Sequence, residues 1–226
     1  MKYVSVAIDG PSGAGKSTVA RAAAAQLGYV YVDTGAMYRT IGLPVCRRGI
    51  SGEDTEGIRS VLPDIRVGIT YENGAQHVLL NGEDVSSEIR TPEIAYYASR
   101  VSAVPEVREF LLNTQRDMAK NGNILMDGRD IGTVILPDAP VKIFLTASAE
   151  SRAERRYKEL AEKGQQVTME SVLHDINERD RQDMNRAIAP LRQAEDAVLL
   201  DTSALTLEES IASVLRIIRE KTEENK

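Results

Sequence analysis

Apolar positions along the chain fall into short runs, and each run is followed by a turn and then by a longer helical pattern. Five of these runs predict buried strands, at residues 3–9, 29–33, 123–127, 141–147 and 197–201. Nearly continuous apolar strands that alternate with helices are typical of a parallel sheet covered on both faces. The pattern therefore predicts a three-layer α/β fold, with a central five-stranded parallel sheet and helices on both faces.

Capping residues mark the ends of several predicted helices. The alanine-rich helix after the first strand stops at Gly28, which suits the left-handed conformation beyond a helix end. Thr91 is placed to cap a helix whose first residue is Pro92. Thr206 and Glu209 have the spacing of a capping box at the start of the last helix.

Residues 64–85 break this alternation. They hold short β-type runs and two Asn-Gly pairs, one of which, Asn73-Gly74, separates two such runs. An Asn-Gly pair in this position is a strong hairpin signal. We therefore expect a small antiparallel β module inserted into the α/β domain.

Composition limits the class of protein. Of 226 residues, 42% are hydrophobic and 27% charged, which is typical of a soluble globular chain with one sizeable core. No apolar run approaches the roughly 20 residues of a membrane span, and the first residues lack a signal-peptide pattern. Cys46 is the single cysteine, so an intrachain disulfide is excluded and a Cys/His zinc site is disfavoured. We expect a cytoplasmic monomer with no membrane partner.

The charge distribution points to a small ligand. The net charge of -6 disfavours a nucleic-acid polymer as the partner, because such binding needs a positive surface. Of the 28 basic residues, however, 20 are arginine. The planar guanidinium matches phosphate oxygens two at a time. Acidic charge with clustered arginines therefore favours a small phosphorylated ligand.

The stretch IDGPSGAGKST follows the first predicted strand and opens the first helix. Gly10, Gly15, Lys16 and Ser17 match the phosphate-binding loop G-x-x-x-x-G-K-[ST]. In such a loop, backbone N–H groups surround ATP or GTP phosphates, the lysine reaches the β- and γ-phosphates, and the hydroxyl is offered to Mg²⁺. A glycine-rich turn with a chance lysine is the alternative. The predicted ATP-binding residues are Gly10, Pro11, Ser12, Gly13, Ala14, Gly15, Lys16, Ser17 and Thr18.

Two motifs at the carboxyl ends of strands could meet a second substrate, since ligands bind at this edge of open α/β sheets. DTGAMYR follows the second strand; here Asp33 could also be only a helix cap and Arg39 a surface residue. MDGRDIGT follows the third strand. Asp127 could hold Mg²⁺ directly or through water, while Arg129 and Asp130 project from a turn or simply pair with each other.

Two helical segments add arginines. Arg179, Asp183 and Arg186 share one helix face in a segment that Pro190 is expected to stop near the sheet. A solvated face of ion pairs is the alternative. The helix after the fourth strand carries Arg152, Arg155 and Arg156 within five positions. This density of arginines suits a mobile lid that closes over phosphates. A plain charged surface helix is the alternative.

These motifs together resemble the bacterial cytidylate kinases, of the nucleoside monophosphate kinase group. IDGPSGAGKST, DTGAMYR, DGRDIGT, PDAPVKIFL, ERD…NRA and the β-rich insert occur in the family's order between about residues 4 and 200. The phosphate loop is shared by many families, whereas the DGRD motif with the insert is far more specific. The resemblance implies transfer of the γ-phosphoryl group of ATP to CMP or dCMP in pyrimidine nucleotide metabolism, with Mg²⁺.

The resemblance also implies a division of the chain and roles for residues. The core would comprise 1–35, 101–148 and 168–226, the CMP-binding arm 36–100, and the helical lid 149–167. The implied catalytic residues are Lys16, Arg129, Arg186, Arg152 and Arg156. The implied CMP-binding residues are Asp33, Thr34, Tyr38, Arg39, Ser99, Arg108, Arg129, Asp130, Arg179, Asp183 and Arg186. The implied metal ligands are Ser17 and Asp127, the latter directly or through water.

Three positions depart from the family pattern. Thr34 stands where serine is common, and Ser17 where some relatives have glycine. Pro44 lies in the first helix of the arm and should kink or end it. Two other functions stay open: a P-loop kinase acting on another small molecule such as shikimate, and a nucleotide-driven ATPase switch.

Overall fold

The structure is a computed structural model that describes residues 3–72, 74–162 and 164–224. Its strands are β1 (Ser5–Asp9), β2 (Val30–Asp33), β3 (Val67–Glu72), β4 (Ala75–Leu80), β5 (Glu83–Asp84), β6 (Ile124–Gly128), β7 (Val141–Thr146) and β8 (Val198–Asp201). Its helices are α1 (Lys16–Leu27), α2 (Thr34–Arg47), α3 (Thr55–Val61), α4 (Pro92–Val101), α5 (Pro105–Met118), α6 (Ala149–Glu162), α7 (Met169–Asn185) and α8 (Leu207–Glu224).

The central sheet has five parallel strands in the order β2-β6-β1-β7-β8, which confirms the predicted α/β fold. The register pairs Asp33 of β2 with Asp127 of β6, and Asp9 of β1 with Gly128 of β6. Three carboxylates therefore end neighbouring strands at one edge of the sheet. This edge also carries the loops that hold the other charged motifs.

Alternation along the strands explains the two helical layers. Val6 and Ile8 of β1 point to the face where α1 and α8 pack, and they join a buried cluster with Ala20 and Val214. Ala7, between them, points to the opposite face and packs with the turn that follows β6. Side chains of a strand alternate between faces, so each buried strand needs a helical cover on both sides.

The insert is a second, antiparallel sheet with the order β3-β4-β5. Glu72 pairs with Ala75 across the tip of the predicted hairpin, and Gly74 there has the left-handed φ of 78°. Asn73, the other residue of the predicted turn, lies outside the described residues. Val78 and Leu80 of β4 enter a hydrophobic core shared with α2 and α4, so the insert is packed rather than detached.

The structure confirms the three predicted helix caps. Gly28 is left-handed at φ 66°, Thr91 accepts a hydrogen bond from the Ile94 N–H, and Thr206 and Glu209 bond each other's backbone N–H groups. The prediction that Pro190 stops the helix carrying Arg186 is wrong. Helix α7 already ends at Asn185, because the backbone turns to an extended conformation at the next residue.

Pro44 does not end α2, which continues through it to Arg47. Tertiary packing outweighs the lost hydrogen bond here: residues on both sides of Pro44 are buried, and α2 lies directly against α4. A Cβ on Gly42 would lie 3.0 Å from the Tyr97 Cβ, which shows how closely the two helices approach. Within the described ranges, no helix combines the length and apolar character that crossing a membrane would require.

Candidate active site

The phosphate loop lies between β1 and α1 in a conformation that requires glycine. Gly10 has φ 151°, and a Cβ there would fall 1.9 Å from the backbone oxygen of Leu145. Gly13 has φ 75°, a left-handed value that favours glycine. The loop therefore passes close to the end of β7 and turns its backbone into the edge of the sheet.

Lys16 is a buried cation at the centre of this loop. Its Nζ donates a 2.7 Å hydrogen bond to the backbone oxygen of Pro11. Burial, with a further contribution from the nearby cation of Arg129, lowers the Lys16 pKa to about 7. A bound polyanion would favour the charged form again, since an opposite charge stabilises a buried ammonium.

Asp127 lies beside the loop and is held on both oxygens. Ser17 donates to its Oδ2 at 2.8 Å, and Tyr31 donates to its Oδ1 at 2.9 Å. Burial, followed by the neighbouring charge of Asp33, raises the Asp127 pKa to about 6. Two oxygen ligands, a hydroxyl and a carboxylate, thus meet where a magnesium ion on ATP phosphates would lie.

This pair fits Mg²⁺, which prefers oxygen ligands and usually keeps water and phosphate in its coordination sphere. No group of three or more His, Cys, Asp or Glu side chains able to hold a metal occurs in the part of the chain that the structure describes. The remaining ligands would therefore come from ATP and water rather than from a protein cage.

The turn after β6 sends its two charged side chains in different directions. Arg129 Nε donates to Asp183 Oδ2 at 2.8 Å, while Asp130 bonds Arg108 and, at 3.2 Å, Arg186. The alternative that Arg129 and Asp130 simply pair with each other is therefore wrong, since each has a distant partner on another helix.

Asp9 fixes the backbone of this turn, which sequence reasoning missed. Its two carboxylate oxygens accept the Ile131 and Gly132 N–H groups, each at 2.8 Å. Those N–H groups open the π-helical turn Ile131–Ile135. Burial, the largest influence, raises the Asp9 pKa to about 6. The residue before the phosphate loop thus positions the turn that carries Arg129 and Asp130.

A buried polar cluster surrounds Asp130. Arg108 comes from α5 and Arg186 follows α7, and both guanidinium groups are shielded from solvent. The Arg108 guanidinium also lies 5.5 Å from the ring centroid of Tyr38 on α2. Ser99 is linked to Arg108 through Ser102. The Ser102 hydroxyl donates to the Ser99 carbonyl, and Arg108 donates to the Ser102 carbonyl. Two arginines that are far apart in the sequence thus bond one carboxylate, and Tyr38 and Ser99 lie in the layer around them.

A second cluster consists of arginines. Arg39 on α2 is half-buried and donates to the backbone oxygen of Ile89 at 2.9 Å, so it is not a free surface residue. Burial, and then the positive charges of Arg179 and Arg90, lowers the Arg39 pKa to about 10. The Arg179 pKa is also lowered, by burial and by Arg129.

Asp33 and Thr34 have protein partners in this structure. Asp33 caps α2, since its Oδ1 accepts the Ala36 N–H at 2.9 Å, and its Oδ2 pairs with Arg90 at 2.9 Å. Thr34 Oγ1 donates to the backbone oxygen of Asp127 at 2.8 Å. The alternative of a helix cap thus holds for Asp33, which is at the same time one half of an ion pair.

The arginines of α6 differ in exposure. Arg152 is buried and uses all its nitrogens on protein: the Ala147 and Ser12 carbonyl oxygens, both at 2.9 Å, and Asp180 at 2.7 Å. Arg156 is partly exposed and pairs with Glu159 on its own helix. Arg155 donates to the backbone of Thr202. Helix α6 is therefore tied to the phosphate loop through Arg152.

A family model described as cytidylate kinase matches residues 6–220. The chain belongs to the cytidylate kinase family. Curated cytidylate kinases from Caldicellulosiruptor saccharolyticus and Caldanaerobacter subterraneus subsp. tengcongensis are each 52% identical to it, over 217 and 219 residues. The alignments cover 96% and 97% of this chain, and 96% of each relative.

Solved structures agree at the level of the fold. A gluconokinase from Sinorhizobium meliloti 1021 has a TM-score of 0.51 at 16% identity, and the alignment covers 99% of this chain and 96% of that one. Membership of the cytidylate kinase family makes the protein a kinase with small-molecule substrates. It also favours a cytidylate kinase over the two other functions left open by the sequence, the different small-molecule kinase and the ATPase switch.

In this family member, the predicted site residues gather at one edge of the sheet. Ser17 bonds Asp127 beside Lys16 at the phosphate loop, while Asp130, three residues further along the chain, bonds Arg108 and Arg186. Four residues that bond predicted site residues, or the turn that carries them, were missed by sequence reasoning: Asp9, Tyr31, Arg90 and Asp180. Asp9 and Tyr31 lay inside predicted strands, and Arg90 precedes a helix cap, so only the carboxyl-end position of Asp9 could have drawn attention.

Proposed function

We propose that the protein transfers the γ-phosphoryl group of ATP to CMP or dCMP, giving ADP and CDP or dCDP. The observation that carries this proposal is the buried Asp130, held between two arginines across from the phosphate loop in a chain of the cytidylate kinase family. A carboxylate in that position can accept the exocyclic amine of cytosine. Uracil would present a carbonyl oxygen to the same carboxylate, which repels it.

In the proposed reaction, a phosphate oxygen of CMP attacks the γ-phosphorus of ATP, and the bond to the oxygen retained by ADP breaks. The attacking oxygen is already anionic at neutral pH, so no general base is required. Catalysis then depends on positioning and on neutralising charge. Lys16, Arg129 and Arg186 would carry most of that charge, with Arg152 and Arg156 of the lid as further catalytic candidates.

Magnesium would bind at Ser17 and Asp127, directly or through water. When bound, it would offset the negative charge of the ATP phosphates. Tyr31 would keep the Asp127 carboxylate oriented, since it bonds the oxygen that Ser17 does not use. The chain's own contribution is therefore to fix two oxygen ligands beside the phosphate loop, Gly10 to Thr18, which would hold ATP.

The acceptor nucleotide would lie between the two clusters. Its base would meet Ser99, Arg108 and Asp130, its sugar would meet Arg179 and Asp183, and its phosphate would meet the arginine cluster. These proposed CMP-binding residues are joined by others at the edge of the sheet: Asp33, Thr34, Tyr38, Arg39, Arg129 and Arg186. Paired cations near a phosphate dianion supply bidentate hydrogen bonds and specificity together.

The proposal extends to the parts of the molecule. Residues 36–100 would act as the CMP-binding arm with its β insert, residues 149–167 as the lid, and the remainder as the core. Lid closure would exclude water and suppress hydrolysis of ATP. We further propose that the protein works as a cytoplasmic monomer and that its partners are ATP and CMP or dCMP, not a nucleic-acid polymer.

The test is ADP formation from Mg²⁺-ATP with a panel of acceptors: CMP, dCMP, UMP, AMP, GMP, shikimate and none. We expect fast ADP release with CMP and dCMP and slow release with the others. Equal release without any acceptor would identify a hydrolase and overturn the proposal. Preference for shikimate or a purine monophosphate would identify a different kinase.

A further inference from the structure

Two side chains of the β insert bond the outer backbone of β2, the edge strand of the central sheet. Tyr71 and Gln76 lie directly opposite each other on β3 and β4, so their side chains share one face of the hairpin. Tyr71 donates to the Tyr31 backbone oxygen at 3.1 Å. Gln76 Oε1 accepts the Asp33 N–H at 2.8 Å, and its Nε2 donates to the Asp33 backbone oxygen at 3.4 Å. The Gln76 amide therefore takes the place that a neighbouring strand would have beside Asp33.

Asp33 is the residue at which β2 passes into α2. It is the last residue of the strand and the N-cap of the helix. Its Oδ1 accepts the Ala36 N–H at 2.9 Å, and its Oδ2 pairs with Arg90 at 2.9 Å. The next residue, Thr34, donates to the backbone oxygen of Asp127 at 2.8 Å. The position of the Asp33 backbone therefore fixes the point and the direction in which α2 leaves the sheet.

We propose that Gln76 is a positioning residue for the acceptor site, because it holds the Asp33 backbone and, with it, the first turn of α2. This inference rests on the proposed function and deepens it. Helix α2 carries Tyr38 and Arg39, two of the proposed CMP-binding residues, within its first two turns. Gln76 acts on the nucleotide through Asp33 and α2, not by direct contact.

Burial makes the bond between Gln76 and the Asp33 N–H important for the geometry. Asp33 is 6% exposed, and Gln76 is half-buried. An N–H group that loses its partner in such a place disfavours the conformation that holds it. Without the Gln76 amide, the end of β2 would shift to give the Asp33 N–H another partner, and the start of α2 would shift with it.

The experiment compares Gln76→Met with the wild type in steady-state kinetics. Methionine has a length similar to that of glutamine but removes both hydrogen bonds to Asp33. We expect the KM for CMP to rise about three- to tenfold, which corresponds to the loss of one hydrogen bond. The KM for ATP should stay near the wild-type value, because the bonds of Gln76 and Asp33 described above do not involve the phosphate loop.

Tyr71→Phe is the matched control, because it removes the neighbouring bond from the same hairpin face to β2, two residues before Asp33. Weaker attachment of the insert alone would affect both variants equally. We expect Tyr71→Phe to leave the KM for CMP unchanged, and urea denaturation checks that each variant is folded. If Gln76→Met does not fold, Gln76→Asn takes its place, since it keeps the amide but shortens the side chain by one carbon.

The inference is overturned if the Gln76 variant retains the wild-type KM for CMP, if its KM for ATP rises equally, or if Tyr71→Phe reproduces the effect. These outcomes concern Gln76 alone. A wild-type protein that forms no ADP with CMP would instead overturn the proposed function, so the two failures are distinguishable.

Discussion

At the scale of single residues, the burial of Lys16 bears on the function proposed for it. Its ammonium lies in the fold with a carbonyl partner and with carboxylates nearby, and burial disfavours its charge. A site that holds a cation in this way is prepared to gain energy when an anion arrives. In the proposed function, the ATP phosphates would supply the anion that stabilises this buried ammonium.

We expect Lys16→Ala to lower turnover by about 10²–10³-fold, the size found when one donor to a charged transition state is removed. The fold should persist, since the side chain bonds only a loop carbonyl. ADP formation with CMP measures the effect, and circular dichroism checks the fold. Lys120→Ala, at an exposed pair with Asp117, is the matched control. Near-normal turnover in Lys16→Ala would remove the loop lysine from the mechanism.

Asp130 is the residue on which, in the proposed function, the choice of base depends. With 4% of its side chain exposed and two arginine partners, it cannot be truncated without leaving buried cations unpaired. Asp130→Asn is therefore the informative change. An amide can accept from cytosine or donate to uracil, whereas a carboxylate only accepts.

We expect Asp130→Asn to reduce the ratio of kcat/KM for CMP over UMP by at least about tenfold, the cost of one discriminating hydrogen bond. The KM for ATP should change little, because the proposed ATP site is the phosphate loop, and within the described residues Asp130 makes no bond to that loop. Asp138→Asn, exposed in the loop beyond the same turn, is the control. A variant that still rejects UMP as the wild type does would show that Asp130 does not read the base.

At the scale of elements, the insert covers the open edge of the central sheet. Strand β2 pairs only with β6, which leaves outward backbone groups. Tyr71 donates to the Tyr31 carbonyl at 3.1 Å, and the Gln76 side chain accepts the Asp33 N–H at 2.8 Å. Covering an edge strand satisfies its backbone and prevents pairing with other chains. The hairpin therefore joins the insert to the central sheet at β2, the strand that ends at Asp33.

Helices α2 and α4 pack closely enough to need a glycine between them. A Cβ on Gly42 would meet the Tyr97 Cβ at 3.0 Å and the Ala98 backbone nitrogen at 3.2 Å. Because one of these atoms belongs to the helix backbone, the helices must separate to admit a larger residue. This contact fixes the distance between α2, which carries Arg39, and α4, which carries Ser99.

We expect Gly42→Val to lower the free energy of unfolding by about 1–3 kcal/mol, as overpacking does in a close-packed core. Urea denaturation measures the change. Gly122→Val is the matched control, because a Cβ at Gly122 meets nothing within 4 Å. Equal stability of the two variants would show that α2 and α4 can move apart without cost.

At the scale of the whole molecule, Arg152 links three parts that the sequence keeps far apart. Arg152 belongs to helix α6, and its guanidinium bonds Ser12 in the phosphate loop and Asp180 on α7. The family resemblance implies a catalytic role for it. Its buried bonds point to positioning as well, since its Nε, Nη1 and Nη2 atoms each meet a protein oxygen.

We expect Arg152→Ala to lower the free energy of unfolding by about 3–5 kcal/mol, because it leaves Asp180 buried without its partner. Arg156→Ala should lower activity while stability stays close to the wild type, since that side chain is partly exposed. Thermal and urea unfolding, measured beside ADP formation, separate the two arginines. An Arg152→Ala protein of normal stability but low activity would assign Arg152 to catalysis alone.

The sequence by itself determined the layers and the ATP side of the site. Apolar strands with capped helices predict the parallel sheet because burial and hydrogen bonding act locally along each element. The phosphate loop is equally local: its glycines, Lys16 and Ser17 are neighbours in the chain. The Asn73-Gly74 pair predicts the hairpin for the same reason, because the turn preference of this pair is also local in the chain.

Only the tertiary structure decided which charges pair. Arg129 and Asp130 are adjacent in sequence, yet their partners are Asp183 and Arg108, each more than 20 residues away. Arg90 and Asp33 pair although 57 residues separate them in the chain, which no local pattern encodes. Helix α2 runs through Pro44 because packing outweighs a local rule. Long-range contacts depend on how elements are assembled, and so the second substrate's site could be read from the sequence only in part.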